Sequence, residues 1–141
     1  MLAKLETILR ENSLCVLCTE AAGNPYCSLM TYLLSDDCRT LYLVSTRESR
    51  KFKNLLANPR VSVLVDSRQH PTAGANIVSV TFAGLFQTLV DAETERVTTA
   101  FAREHPELTE ILNHPDSVIF AIKLTSYLLL DGPVDADQGD L

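Results

Sequence analysis

A basic segment at residues 45–59, STRESRKFKNLLANP, holds the side chains best suited to chemistry in this sequence. Its cations stand close together, although the 141-residue chain has a formal net charge of -6. They are Arg47, Arg50, Lys51 and Lys53. Hydroxyl side chains precede and separate them, and cations combined with hydroxyls are donors that suit a phosphate group. The segment is therefore a candidate anion site.

The spacing of apolar residues predicts that a helix begins inside this segment. Phe52, Leu55 and Leu56 recur at the helical interval and should face the core. The Asn-Pro pair at 58–59 ends the pattern, because proline cannot continue a helix. Ser49 stands where the N-terminal cap of this helix would lie.

Arg50 and Lys51 then occupy the first helical turn, at the positive end of the helix dipole. A cation at this position lowers the stability of the helix by roughly a few tenths of a kcal/mol, unless an anion is bound there. A phosphate there would accept hydrogen bonds from backbone N–H groups, from both cations and from the hydroxyls of Ser45, Thr46 and Ser49. A solvated basic helix face is the alternative, and the residues alone favour neither interpretation.

The cysteines and histidines suggest other chemistries. Cys15 and Cys18 have the C-x-x-C spacing of metal and redox sites, but their apolar surroundings predict a strand, on which they point to opposite faces. A zinc site would need a second such pair, and none follows in the sequence. We therefore predict reduced core thiols and no bound metal. The histidines adjoin prolines or polar loops, which favours capping or solvated roles: His70, His105 and His114.

Composition and charge argue against several classes of function. With 46% apolar residues, the chain can build one globular domain with its own core. An acidic chain without a basic stripe elsewhere does not suit nucleic acid or an anionic membrane. Its apolar runs are far shorter than the roughly 20 residues that span a bilayer, and its first residues do not resemble a signal peptide. We expect a cytoplasmic protein that binds a small molecule, with no nucleic-acid or membrane partner.

The pattern along the chain predicts an α+β fold that is mainly β. An amphipathic helix opens the sequence, and six short strands follow, separated by turns or short helices. Such links favour antiparallel pairing. A sheet of six short strands covers its edges by curling into a small barrel. Gly84 should mark a bulge or bend, and Asp91 should cap a helix. We predict one domain at residues 1–132 and an acidic, flexible tail at 133–141.

The whole pattern resembles the FMN-binding split-barrel family, whose best-known members are pyridoxamine 5'-phosphate oxidases. The resemblance covers roughly residues 2–132, and its most specific part is Ser-Arg-Lys at 49–51 before a helix that closes in NPRVSVLV at 58–65. It implies a six-stranded antiparallel split β-barrel with short flanking helices. It also implies a homodimer that holds FMN at the subunit interface.

The FMN site of that family carries over to this chain by motif. The resemblance implies that the cations at 50 and 51 hold the FMN phosphate, and that main-chain groups of the second strand line the isoalloxazine ring. The implied cofactor-binding residues are Leu29, Met30, Thr31, Tyr32, Ser45, Thr46, Ser49, Arg50, Lys51 and Ser79. Catalytic residues stay unassigned, and Tyr32 is the one side chain that we nominate as an acid or base.

The chain departs from the oxidases proper in ways that bear on its reaction. Those enzymes have a basic residue at the start of the second-strand motif and a basic, tryptophan-containing C-terminal segment for pyridoxal phosphate. This chain has Cys27-Ser28-Leu29 there, no tryptophan and an acidic tail. We expect an FMN-dependent oxidoreductase with another small-molecule substrate or electron donor. A non-enzymatic flavin or haem binder is the alternative, and a deazaflavin could replace FMN.

Overall fold

Eight strands and four α-helices make up residues 2–70 and 73–141, the part of the chain that a computed structural model describes. The strands are β1 (Leu14–Ala21), β2 (Asn24–Thr31), β3 (Leu33–Leu34), β4 (Thr40–Thr46), β5 (Arg60–Asp66), β6 (Val78–Thr88), β7 (Ser117–Asp131) and β8 (Asp135–Asp140). The helices are α1 (Leu2–Glu11), α2 (Arg50–Ala57), α3 (Asp91–Glu104) and α4 (Thr109–Leu112), with short 3-10 turns at Ser67–Gln69 and Pro106–Leu108.

All the described strands pair antiparallel in one curled sheet. Its order is β2-β1-β5-β6-β7-β4-β3, and β8 lies beside β7. The sheet does not close, because β2 pairs only with β1 and β3 covers only Leu41–Tyr42 of β4 among the described strands. We call the gap between β2 and residues 43–46 of β4 the seam. The predicted mainly β, antiparallel split barrel is confirmed.

Two places account for the difference between six predicted strands and eight observed ones. The second predicted strand breaks at Tyr32, whose N–H donates to the Ser13 carbonyl at 2.8 Å, so β3 is separate from β2. The tail predicted to be flexible at 133–141 instead contains β8. Because β4 covers β7 only from Ser117 to Lys123, the edge beyond it is open, and β8 pairs with Ser126–Asp131 there.

Two local predictions have different outcomes. Gly84 does mark a bulge, since the β6–β7 register shifts between Ala83 and Gly84, and a Cβ at this position would lie 2.7 Å from Ile122 Cγ2. The cap predicted at Asp91 is wrong. Val90 is the N-cap, and Asp91 is the first residue of α3, where its negative charge still favours the positive end of the helix.

Apolar side chains pack in two clusters, one inside the curled sheet and one beneath α3. Helix α2 places Phe52 and Leu55 in the first cluster. Leu56 does not face the core as predicted, because the helix turns it outward and leaves it 62% exposed.

The loop predicted around residues 68–76 includes Pro71 and Thr72, which lie outside the described residues. Every described helix is too short or too polar to cross a membrane.

Adjacent leucines of α2 test this packing. We expect Leu55→Ala to lower the free energy of unfolding by about 2–5 kcal/mol, because it leaves a cavity in the core. The matched control Leu56→Ala should change it by less than about 0.5 kcal/mol, because that side chain lies largely in water. Urea denaturation followed by circular dichroism measures both, and equal losses would contradict the observed packing.

Candidate functional site

Hydroxyl groups hold the turn between β4 and α2, where the basic segment lies. Ser49 caps α2 as predicted, since its Oγ accepts from the Phe52 N–H at 3.3 Å and donates to the Thr46 carbonyl at 2.9 Å. The buried Ser45 hydroxyl lies 2.8 Å from the same Oγ. Because that oxygen has already donated its proton, Ser45 is the donor in this contact. These bonds fix the start of α2 relative to the sheet.

Two of the four cations have protein partners at the surface. Arg47 donates to the Ser117 carbonyl at 2.9 Å, and the Lys53 ammonium lies 3.4 Å from a Glu48 carboxylate oxygen. Arg47 is thereby tied to β7, and Lys53 to Glu48, the residue before the N-cap. They are the least suited of the four to bind a ligand at that point.

The other two cations remain at the first turn of α2. The Arg50 guanidinium lies 5.4 Å from the centroid of the Tyr26 ring, a cation–π contact at an exposed position. Lys51 is half-buried and lines a cleft. The first turn of α2 contains no acidic residue, so its N–H groups and these cations leave a net positive end.

The cleft beside Lys51 lies at the seam and has a volume of about 270 Å³. Its walls come from β2, β4, the start of α2 and the segment that contains the second 3-10 turn and α4. They are Leu29, Met30, Thr31, Val44, Ser45, Lys51, Leu108 and Ile111. Half of the ten predicted cofactor-binding residues therefore meet here: Leu29, Met30, Thr31, Ser45 and Lys51.

The seam supplies main-chain groups as well as side chains. β2 has a sheet partner on one edge only, and residues 43–46 of β4 have one only on the β7 side within the described chain. The two open edges face the cleft with backbone N–H and C=O groups that no neighbouring strand uses. Such groups can bond to water or to a ligand that carries donors and acceptors of its own.

The sequence can now be assigned to a family. The family described as "Pyridoxamine 5'-phosphate oxidase" has a sequence profile that matches residues 1–129. The chain belongs to the pyridoxamine 5'-phosphate oxidase family. Comparison with curated proteins finds no match.

Solved structures share the fold of this pyridoxamine 5'-phosphate oxidase family member at low sequence identity. A heme binding protein from Mycobacterium smegmatis is 18% identical, with a TM-score of 0.84 over 97% of this chain and 56% of its own. An FAD-binding protein from Mesorhizobium loti is 22% identical, with a TM-score of 0.74 over 99% of this chain and 94% of its own. HutZ, the heme storage protein from Vibrio cholerae, is 17% identical, with a TM-score of 0.70 over 98% of this chain and 94% of its own. This chain thus spans little more than half of the first relative.

Tyr32 and Ser79 lie away from the cleft in this family member. The Tyr32 hydroxyl donates to the Leu9 carbonyl at 2.7 Å, and burial raises the pKa of this phenol. The side chain therefore faces the core and cannot serve as the acid or base that we nominated. Ser79 lies on β6, which β1 and β5 separate from β2, so about 14 Å of sheet divides it from the cleft. Thr46, Ser49 and Arg50 lie at the start of α2 without lining the cleft.

Leu108 and Ile111 are the site residues that sequence reasoning missed. Their helical spacing is typical of core packing, and they do pack partly against the cluster beneath α3. Only the folded chain brings this segment to the open seam. Apolar spacing shows that a face is covered, but it does not show that part of the face borders a ligand cleft.

The three histidines differ in how available their rings are. His114 Nδ1 accepts from the Asp116 N–H at 3.0 Å, and His70 is exposed. His105 Nδ1 lies 3.1 Å from Glu107 Oε1, and the residue lines a second cleft of about 420 Å³. Within residues 2–70 and 73–141, no three histidine, cysteine or acidic side chains come together that could hold a metal ion.

Proposed function

We propose that the protein binds FMN in the cleft at the seam and uses it as an oxidoreductase on a small molecule. The observation that carries this proposal is the meeting of Lys51, the capped start of α2 and two open strand edges around one cleft. The fold of the family is shared by proteins that bind different cofactors, so the residues of the site must carry the choice of ligand.

The start of α2 fits the FMN phosphate. The Ser49 side chain caps one first-turn N–H, which leaves those of Arg50 and Lys51 for an anion, and no acidic side chain lies in that turn. Lys51 lies in the wall of the cleft and Arg50 is exposed beside it, so both can reach an anion bound at the helix terminus. Thr46 could add a hydroxyl, whereas Ser45 and Ser49 support the turn through the hydrogen bonds they already make.

The seam fits the flavin ring. The ring's rim carries donors and acceptors that match open strand edges, and its flat faces suit the apolar side chains Leu29, Leu108 and Ile111. FMN, when bound, supplies the hydride or electron transfer, while the protein contributes binding, orientation and exclusion of water. Lys51 is the only titratable residue among those lining the cleft. We therefore propose that protons in the reaction come from solvent or substrate.

A second copy of the chain would complete the site. The cleft of one chain, at about 270 Å³, is smaller than the roughly 300–1,000 Å³ of typical ligand sites. One row of side chains, which we call the apolar row although it includes the Thr81 hydroxyl, crosses the outer face of the sheet through the register partners Leu29, Val16, Leu64, Thr81 and Leu128. Leu29 and Leu128 are 62% and 37% exposed, so the row leaves apolar surface in water.

We infer a homodimer that covers this apolar row, as the resemblance implied. Ser79 lies on the same face of β6 as Thr81 of the row. A symmetric dimer would therefore bring the Ser79 of a second copy toward the cleft, which a single chain cannot do. Its cytoplasmic location stays a prediction.

Haem is the second candidate ligand, because two of the three relatives described above are named for it. His105 is the side chain best placed to bind iron, since Glu107 can orient its ring beside the 420 Å³ cleft.

Pyridoxamine 5'-phosphate is not a substrate that we propose. Its phosphate would need a second set of cations, and β8 adds only Asp135, Asp137 and Asp140.

The spectrum and turnover of the purified protein test the function directly. We expect flavin absorption with FMN in the heat-released extract, and reduction of an added electron acceptor by NADH or NADPH above the rate of free FMN. A Soret band without flavin would replace this proposal with haem binding. Bound FMN without any turnover over a panel of acceptors would make the protein a flavin binder rather than an enzyme.

Substitution of single cations in α2 tests the proposed phosphate site. We expect Lys51→Ala to weaken FMN binding by about 1.5–3 kcal/mol, the usual value for a hydrogen bond to a charged group, and Arg50→Ala to do the same. Lys53→Ala is the matched control and should have little effect, because its ammonium already pairs with Glu48. Fluorescence titration with FMN and with riboflavin measures the affinity of each variant for the two ligands. Equal losses for both ligands would show that these cations do not hold the phosphate.

Charge on the apolar row tests the dimer. Light scattering should report twice the chain mass for the native protein, and Leu128→Asp should give monomers that bind FMN at least tenfold more weakly, because the site loses its second wall. Leu56→Asp places the same charge on an exposed leucine of α2 and should stay dimeric. A native monomer at micromolar concentration that still carries flavin would exclude the interface site.

A further inference from the structure

Two thiols face each other on the β1–β2 hairpin. Cys18 and Cys27 are register partners, and their Sγ atoms lie 3.3 Å apart. Cys27 is exposed and Cys18 partly exposed, whereas Cys15 and Cys38 are buried. The C-x-x-C spacing does not predict this arrangement. The thiol next to Cys18 is that of Cys27 across the hairpin, and not that of Cys15 three residues earlier.

The hairpin turn fixes the pairing of the two thiols. Ala22 and Gly23 form a two-residue turn with φ of 52° and 81°, as in a type I′ turn. Hydrogen-bonded and non-hydrogen-bonded pairs alternate along the strands from such a turn. Pro25, which lacks an N–H, takes part in the second pair, so that pair is non-hydrogen-bonded. Cys18 and Cys27 form the fourth pair and are non-hydrogen-bonded too.

This position suits a disulfide. Opposed residues at non-hydrogen-bonded positions have Cα atoms about 4.5 Å apart, within the roughly 4.4–6.8 Å that disulfides span. The two sulfur atoms must approach by only about 1.2 Å to reach a bond length near 2.05 Å. Small rotations of the side chains achieve this without a change of strand register.

We propose that Cys18 and Cys27 form a reversible dithiol–disulfide site that small-molecule disulfides oxidise. The Cys27 thiolate attacks one sulfur of a disulfide RSSR and releases RS⁻. The Cys18 thiolate then attacks the Cys27 sulfur of the mixed disulfide and releases the second RS⁻. The two protein thiols lose two protons and two electrons in all, and RSSR is reduced to two thiols.

The order of the two steps follows from the surroundings of the thiols. Burial, and then the hydrogen bond with Cys27, raises the pKa of Cys18 to about 11. The exposed Cys27 therefore meets an oxidant first, and Cys18 loses its proton only in the second step, after its hydrogen bond with the Cys27 thiol is lost. The second step depends on the short distance between the sulfurs, which acts as a high effective concentration.

The site is independent of the FMN proposal but lies near its elements. Cys27 is two residues before Leu29 on the strand that borders the cleft, and the thiol pair occupies the row next to the apolar row of the proposed dimer. A dimer would hinder the oxidant. The test therefore includes the Leu128→Asp variant, whose thiols no second copy would cover.

Thiol counting after oxidation tests the proposal. The full chain is incubated with excess oxidised glutathione at mildly alkaline pH, freed of glutathione, unfolded with denaturant so that the buried thiols react, alkylated and mapped by mass spectrometry. We expect two alkylated cysteines, Cys15 and Cys38, instead of the four of the reduced protein, and a peptide that links Cys18 to Cys27. Dithiothreitol should restore all four thiols. Oxidation seen only in Leu128→Asp also supports the site.

Two variants separate the pair from other thiol chemistry. Cys18→Ser should keep glutathione on Cys27 as a stable mixed disulfide and form no internal link. Cys15→Ala, the matched control, should form the link as the native chain does. The proposal is overturned if glutathione stays on Cys27 in the native chain, if the links are only intermolecular or involve Cys15 or Cys38, or if neither the native chain nor Leu128→Asp is oxidised.

Discussion

Unpaired strand edges leave backbone N–H and C=O groups without partners, and here two such edges face each other across the seam. The seam exists because Tyr32 turns the chain out of β2, through its N–H to the Ser13 carbonyl and its hydroxyl to the Leu9 carbonyl. With only two residues in β3, the sheet cannot close over the far end of β4. The cleft and its polar rim both follow from that unclosed edge.

Charge at the start of α2 gives the seam its chemical preference. The hydroxyls of Ser45 and Ser49 hold the strand-to-helix turn, so hydrogen bonds within the chain fix the helix terminus relative to the sheet. Neighbouring cations are not equivalent, because Lys53 pairs with Glu48 whereas Lys51 lines the cleft. The run of basic residues thus separates into one surface ion pair, one cation bonded to a backbone carbonyl, one cation over the Tyr26 ring and one residue in the cleft wall.

The outer face of the sheet combines two properties that are unusual for a surface in water. An apolar row crosses five strands from Leu29 to Leu128, and a pair of thiols stands in the next row. Both depend on strand register, since a shift by one residue would turn these side chains to the other face. The tight hairpin turn at residues 22–23 and the bulge at Gly84 help set that register.

Local sequence signals by themselves determined the helix cap at Ser49, the bulge at Gly84 and the antiparallel, mainly β class, because each depends on residues close together in the chain. The resemblance implied ten cofactor-binding residues, and five of them line the cleft in the structure. Only the tertiary structure decided that Tyr32 faces the core, that Leu108 and Ile111 reach the seam, that the acidic tail pairs with β7, and that Cys18 meets Cys27. These contacts join residues that are not related by a helical or strand repeat. The curl and register of the sheet bring them together, whereas local propensity does not.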